Sequence, residues 1–155
     1  MTQTFYSNGK LLITGEYVVL NGATALALPT KFGQSLTIEP NKINGIKWSS
    51  FDADGSCWFE TFIVFDEIKN KIKTTDNAIK NTLIEILHEA FQLNPSYLED
   101  VDGYNISTRL TFPKKWGLGT SSTLINNIAN WLSVDPYTLL KNSFGGSGYD
   151  LACAQ

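Results

Sequence analysis

Pro113-Lys114-Lys115-Trp116-Gly117-Leu118-Gly119-Thr120-Ser121-Ser122 joins a run that alternates like a strand to a run spaced like a helix. Gly117 and Gly119 lack a Cβ, so the backbone here can turn sharply and come close to a ligand. The hydroxyls of Thr120, Ser121 and Ser122 stand where the helix would begin. At such an end the first amides have no intrahelical partner and the helix dipole is positive. Glycines followed by open amides at a helix start form a site for phosphate, as in a nucleoside triphosphate. The stretch is not the common loop Gly-x-x-x-x-Gly-Lys-Ser/Thr, because no Lys follows Gly119. Nor is it Gly-x-Gly-x-x-Gly, because Ser122 stands at the third glycine position. A strand-to-helix turn capped by a Ser or Thr side chain is the plainer alternative.

Working outward, residues 103–112 alternate. Tyr104, Ile106, Thr108, Leu110 and Phe112 fall on one side, and Asn105, Ser107, Arg109 and Thr111 on the other. That predicts a half-buried strand running into the glycine loop. After the loop, Leu124, Ile128, Trp131 and Leu132 give a helix one buried stripe. Asp135-Pro136 predicts another helix, with Asp as cap and Pro in the first turn. Gly145-Gly146-Ser147-Gly148 reads as a flexible loop, and a helix starts again near Asp150.

The part before residue 103 reads mostly as strands. Residues 18–20 and 25–28 flank Asn21-Gly22, a strong hairpin signal. Residues 34–39 predict a further short strand. Residues 46–50 and 57–65 flank Asp52-Ala53-Asp54-Gly55, a second hairpin. Residues 76–91 predict the clearest helix, with Ile79, Leu83, Ile86, Leu87, Ala90 and Phe91 on one stripe. Asp76 is its expected cap and Asn94-Pro95 its stop. Counted at ~100° per residue from Ile79, the single histidine, His88, falls on the opposite, wet face.

Composition removes several classes of function. A chain of 155 residues with 43% apolar content can bury the core of one domain. A net charge of −3 argues against general nucleic-acid binding, which needs a basic face. No apolar run approaches the ~20 residues that span a bilayer, and the first residues do not read as a signal peptide. Cys57 and Cys153 form no metal or redox spacing. A cytoplasmic setting is expected.

Two more segments carry weight beside the loop. Gly9-Lys10-Leu11-Leu12-Ile13-Thr14-Gly15-Glu16-Tyr17 lies near the start, and Gly145-Gly146-Ser147-Gly148-Tyr149-Asp150 near the end. Together the three resemble the GHMP kinase superfamily, which includes galactokinase, homoserine kinase, mevalonate kinase and phosphomevalonate kinase. The first resembles its amino-terminal Lys plus Gly-Glu-His/Tyr element. The loop resembles its Pro-x-x-x-Gly-Leu-Gly-Ser-Ser-Ala motif, and the last its Ser-Gly-x-Asp element. The wording of the first and last leans toward the mevalonate and phosphomevalonate branch.

The resemblance implies an α+β fold, the ribosomal protein S5 domain 2-like amino-terminal domain of such a kinase, with a mixed sheet and helices on one face. It implies ATP and Mg²⁺ as cofactors and a small-molecule substrate, with neither nucleic acid nor membrane as partner. Gly117, Leu118, Gly119, Thr120, Ser121 and Ser122 would hold the triphosphate, with the Ser121 hydroxyl reaching Mg²⁺. Asp150 would orient or deprotonate the acceptor hydroxyl, with Lys10 beside it. Glu16, Tyr17, Ser147 and Gly148 would line the substrate pocket. A helix cap is the plainer role for Asp150, and a solvated lysine ahead of a strand the plainer role for Lys10. Lys114 and Lys115 are either attractors of polyphosphate or surface residues.

Residues 123–147 contain no Glu and only Asp135, so the separate carboxylate that the family often supplies to Mg²⁺ has no counterpart there. Family members run about twice this length. The expectation is therefore a truncated amino-terminal domain, with a missing carboxy-terminal domain completing the site. Two other readings stay open: a diphosphomevalonate decarboxylase-like enzyme of the same superfamily, and a truncated domain without catalysis.

Overall fold

A computed structural model of the protein describes residues 1–14, 24, 26–74, 76–146 and 148–155. Glu16, Tyr17, Ser147 and the Asn21-Gly22 hairpin lie outside the described residues. The elements run β1 (Gln3–Thr14), β2 (Leu26–Pro40), β3 (Gly45–Phe51), β4 (Cys57–Ile63), α1 (Phe65–Lys69), α2 (Ala78–Leu93), α3 (Ser96–Glu99), β5 (Gly103–Leu110), a single 3₁₀ turn (Lys114–Trp116), α4 (Thr120–Leu132), α5 (Pro136–Ser143) and α6 (Tyr149–Ala154). The five strands form one mixed sheet in the order β1-β2-β5-β3-β4. Among the described residues only β3 and β5 pair in parallel. This is the expected α+β class.

Period-two alternation fixes which face of the sheet is covered. Leu36 and Ile38 of β2, Ile46 and Trp48 of β3, and Tyr104 and Ile106 of β5 are buried in the core. Lys47, Asn105 and Arg109 point to the open face. The covering layer comes from α2 through Leu83, Ile84, Ile86, Leu87 and Ala90, and from α4 through Ile125, Ile128, Ala129 and Leu132. The predicted strand at 103–112 stands at Gly103–Leu110, with Phe112 still buried beyond its end. The second hairpin also forms, with Gly55 at φ 85° closing the turn onto the Asp52 carbonyl.

Several expectations shift. The separate strands expected at 25–28 and 34–39 are one strand of 15 residues, β2. Strand β4 stops at Ile63, because the Val64 amide donates to Glu67 Oε2 at 2.9 Å and turns the chain into α1. Asn77, not Asp76, caps α2 by accepting from the Lys80 amide at 2.9 Å. Ile79 in its first turn is 46% exposed and lines a cavity instead of the core. His88 is half-buried, with Nδ1 2.8 Å from the Ile68 carbonyl oxygen, because α1 folds back over that face of α2.

One irregularity positions the site. The β1–β2 register slips between Asn8 and Lys10, whose partners are Gly33 and Pro29. Proline has no amide to offer the ladder. Pro29 therefore gives the Lys10 carbonyl no ladder bond, and the Lys10 amide turns out of the ladder to donate to the Leu118 carbonyl at 2.9 Å. Lys10 is thus inside a strand, not ahead of one, and that strand is tied directly to the glycine loop.

Candidate phosphate-binding site

The loop between β5 and α4 is held from below by a small apolar cluster of Leu110, Phe112 and Leu118. Pro113 starts the 3₁₀ turn, and the Trp116 amide closes it on the Pro113 carbonyl at 2.9 Å. Gly117 then takes φ 68° and Gly119 φ 81°, a region that L side chains avoid. At Gly9 the need is for space: a Cβ there would sit 2.8 Å from the Leu118 carbonyl oxygen. Gly9 therefore lets β1 pass close under the loop.

Gly119 is the N-cap of α4, and no side chain caps this helix. The plainer reading, a turn capped by Ser or Thr, does not hold. Helix geometry leaves the first amides of α4 without intrahelical acceptors and puts the positive end of its dipole there. The Ser121 side chain is exposed at this end, Thr120 is half-buried and Ser122 is buried. Thr123 turns inward: its Oγ1 lies 3.0 Å from Gln34 Oε1 and 2.9 Å from the Thr120 carbonyl oxygen. The helix start is fixed from inside while its outer surface stays open.

Lys10 enters from β1. A Cβ on Gly119 would lie 3.1 Å from Lys10 Cγ, so the lysine stem runs along the glycine. Its Nζ reaches Asp150 Oδ1 at 3.1 Å and the Tyr149 hydroxyl at 3.1 Å. The Lys10 side chain is 14% exposed and that of Asp150 31%. Asp150 does not cap α6. Gly148 at φ 77° does, and its carbonyl accepts the amides of Leu151 and Ala152. The Asp150 carboxylate is thereby free for Lys10.

Electrostatics here are those of a partly buried ion pair. Burial pulls the Lys10 pKa down. Hydrogen bonds with Tyr149 and Asp150, and the charges of both, outweigh it and set the net direction upward from 10.5. Lys10 is a fixed positive charge at neutral pH. Cys153, one turn after Asp150, is buried, and burial together with the Asp150 charge pushes its thiol up. It is not an activated nucleophile.

Two features of the site escape sequence reasoning. The first is a buried polar network. Ser7 Oγ donates to Asn127 Oδ1 at 2.8 Å, and Asn126 Nδ2 reaches Ser7 Oγ at 2.9 Å and the Ala154 carbonyl at 3.2 Å. Asn127 Nδ2 donates to the Gln34 carbonyl at 2.8 Å. These bonds join α4 to β1, β2 and α6, the elements that supply the loop, Lys10 and Asp150. Adjacent asparagines in an otherwise amphipathic helix were the available signal. The second is a cavity of about 230 Å³ beside the α4 start, lined by Trp48, Trp58, Phe59, Leu124, Thr120 and Ser121 among others. Lys114 places Nζ 3.6 Å from the centroid of the Trp58 ring, so its charge serves the cavity rim. Aromatic residues scattered over β3, β4 and the end of α5 (Trp48, Trp58, Phe59 and Phe144) carry no local motif. Glu16, Tyr17 and Ser147 are outside the described residues, and Gly148 acts as a cap.

No protein-family model matches the chain, and no curated protein is similar to it in sequence. Its fold is matched by solved structures. Methanococcus jannaschii mevalonate kinase aligns with a TM-score of 0.69 at 17% identity, over 99% of this chain and 51% of that one. Lactococcus lactis galactokinase complexed with galactose aligns at 0.63 and 15%, over 94% and 39%. Streptococcus pneumoniae phosphomevalonate kinase, in complex with phosphomevalonate and AMPPNP, aligns at 0.61 and 17%, over 98% and 46%. All are GHMP kinases, the superfamily that the three motifs resemble. At these identities the likeness establishes a shared fold. The chain spans about half the length of these structures or less. Among the described residues no helix is long and apolar enough to cross a membrane.

Proposed function

We propose that the chain forms the ATP-binding, amino-terminal half of a cytoplasmic GHMP-type small-molecule kinase that phosphorylates mevalonate or phosphomevalonate. The observation that carries this reading is the meeting of Lys10 and Asp150, 3.1 Å apart, against Gly119 at an uncapped helix start. The matched kinases are about twice as long, and a second domain completing the acceptor side of the cleft belongs to the proposal.

Phosphoryl transfer is mainly positioning and charge neutralisation. In this reading the open amides of residues 120–122 hold the triphosphate, and the aromatic cavity takes the base, stacked against Trp58. Lys10 neutralises charge on the transferred group. Asp150 orients the acceptor hydroxyl and takes its proton. Mg²⁺ bound with the nucleotide supplies further charge neutralisation. Among the described residues no cluster of three or more His, Cys, Asp or Glu could hold a metal alone. Asp135 is engaged as the cap of α5. The exposed Ser121 hydroxyl fits a cation that takes most of its oxygens from phosphate and water.

The test has two parts. Calorimetry with MgATP should show binding that Lys10→Ala weakens. Assays with mevalonate, phosphomevalonate and galactose, made on a form that includes the second domain, should yield a phosphorylated acceptor. Release of carbon dioxide and phosphate would assign the decarboxylase branch instead. No binding of MgATP would remove the nucleotide from the reading.

A further inference from the structure

Tyr149 is a residue to which no role has yet been given, and it touches the centre of the site. An ammonium group has three N–H donors. On Lys10 one meets the Tyr149 hydroxyl at 3.1 Å, while Asp150 Oδ1 lies 3.1 Å from Nζ as its ion-pair partner. The Asp150 distance is longer than the ~2.7–2.9 Å of a tight charge-assisted bond. Asp150 Oδ1 is occluded from solvent and has no aligned hydrogen bond, although the ammonium is beside it. The tyrosine therefore shares the ammonium with the carboxylate and holds it off the line of a closed ion pair.

We propose that Tyr149 is a positioning residue for Lys10: its hydroxyl holds Nζ beside the Asp150 carboxylate and keeps one N–H free for a phosphoryl oxygen. The proposal rests on the phosphoryl-transfer reading of this site. Without the hydroxyl, the lysine closes onto Asp150, and each charge is then engaged by the other instead of by substrate. Because the tyrosine oxygen accepts from Lys10, its own O–H also stays free to donate to a substrate oxygen.

The surroundings of Lys10 support this assignment. Helix α6 presents Tyr149, Asp150 and Cys153 to it. Helix α4, also packed on β1, contains no titratable or charged side chain from Thr120 to Leu132. Across the ladder Lys10 faces Pro29 of β2. The hydrogen bond with Tyr149 is the largest contribution raising the Lys10 pKa, ahead of Asp150.

The test is the Lys10 side-chain titration, followed by NMR of the lysine Cε and Nζ nuclei in wild type, Tyr149→Phe and Asp150→Asn. Tyr149→Phe should keep the amide spectrum of the folded chain and move the Lys10 midpoint and Cε shift, because the lysine loses one partner and closes onto the other. It should also lower kcat for phosphoryl transfer by about tenfold with a smaller change in KM for ATP, the pattern of an interaction made mainly in the transition state. An unchanged Lys10 midpoint and unchanged Cε shift in Tyr149→Phe would overturn the proposal. So would a changed midpoint with unchanged kcat in an active wild type. A wild type that binds no MgATP would instead refute the functional reading, while the titration still decides whether Tyr149 holds Lys10.

Discussion

Helices α2 and α5 begin differently from α4 and α6. In α2 and α5 the side chains of Asn77 and Asp135 turn back and accept the amides of Lys80 and Thr138. In α4 and α6 the cap is a left-handed glycine, Gly119 or Gly148, and no side chain closes the end. A side-chain cap stabilises a helix by satisfying its first amides. A glycine cap leaves that polar surface for something else. The two glycine-capped ends are also the two that meet Lys10. The closed ends serve the fold, and the open ends make the site.

This contrast is testable from either side. The largest effect is expected at an open end: Asp150→Asn, in a form competent for phosphoryl transfer, should cut turnover by about 10²-fold or more with MgATP affinity retained. Steady-state kinetics beside calorimetry checks this, and near-normal turnover would make Asp150 merely structural. Next, Gly119→Val places a branched Cβ at φ 81° and against Lys10 Cγ. MgATP affinity should fall at least tenfold, which calorimetry reads directly. At a closed end, Asn77→Ala should cost about 1 kcal/mol of stability in denaturant unfolding and leave MgATP affinity alone. A loss of nucleotide binding there would erase the distinction.

The smallest effect concerns pH. Thr138 hydrogen bonds hold the Asp135 carboxyl below its usual 3.8. A depressed carboxyl contributes stability above its unfolded pKa and loses it as pH falls through the folded one. Asp135→Asn should therefore lower stability slightly at neutral pH and flatten the loss of stability below about pH 4, as denaturant unfolding at the two pH values would read.

What could be read in the sequence follows the same division. Strand β5, the glycine loop and the Asp135-Pro136 helix start are legible because each depends on neighbours in the chain: alternation, φ freedom and a side chain reaching its own helix. The meeting of Lys10 with Asp150 came only through motif resemblance, since no spacing rule links positions so far apart. That Lys10 lies within a strand depends on the slip opposite Pro29, a property of two strands together. The inward-facing Asn126 and Asn127 were invisible to an apolar stripe, because burial satisfied by partners on other elements does not look hydrophobic. His88 was misplaced for a related reason, since α1 covers a face that periodicity alone assigns to water.

The reach of the Lys10 contact also has a consequence in time. Lys10 and Tyr149 are 139 positions apart. Chain growth proceeds at roughly 5–20 residues per second and delivers the amino-terminal part first. The lysine and the glycine loop thus exist for seconds before Asp150 and Tyr149 are made. The ammonium is therefore made long before its carboxylate, and the ion pair can form only once α6 has been made. The anion-attracting half of the site is born before the half that restrains it, and α6 is the element that closes the account between them.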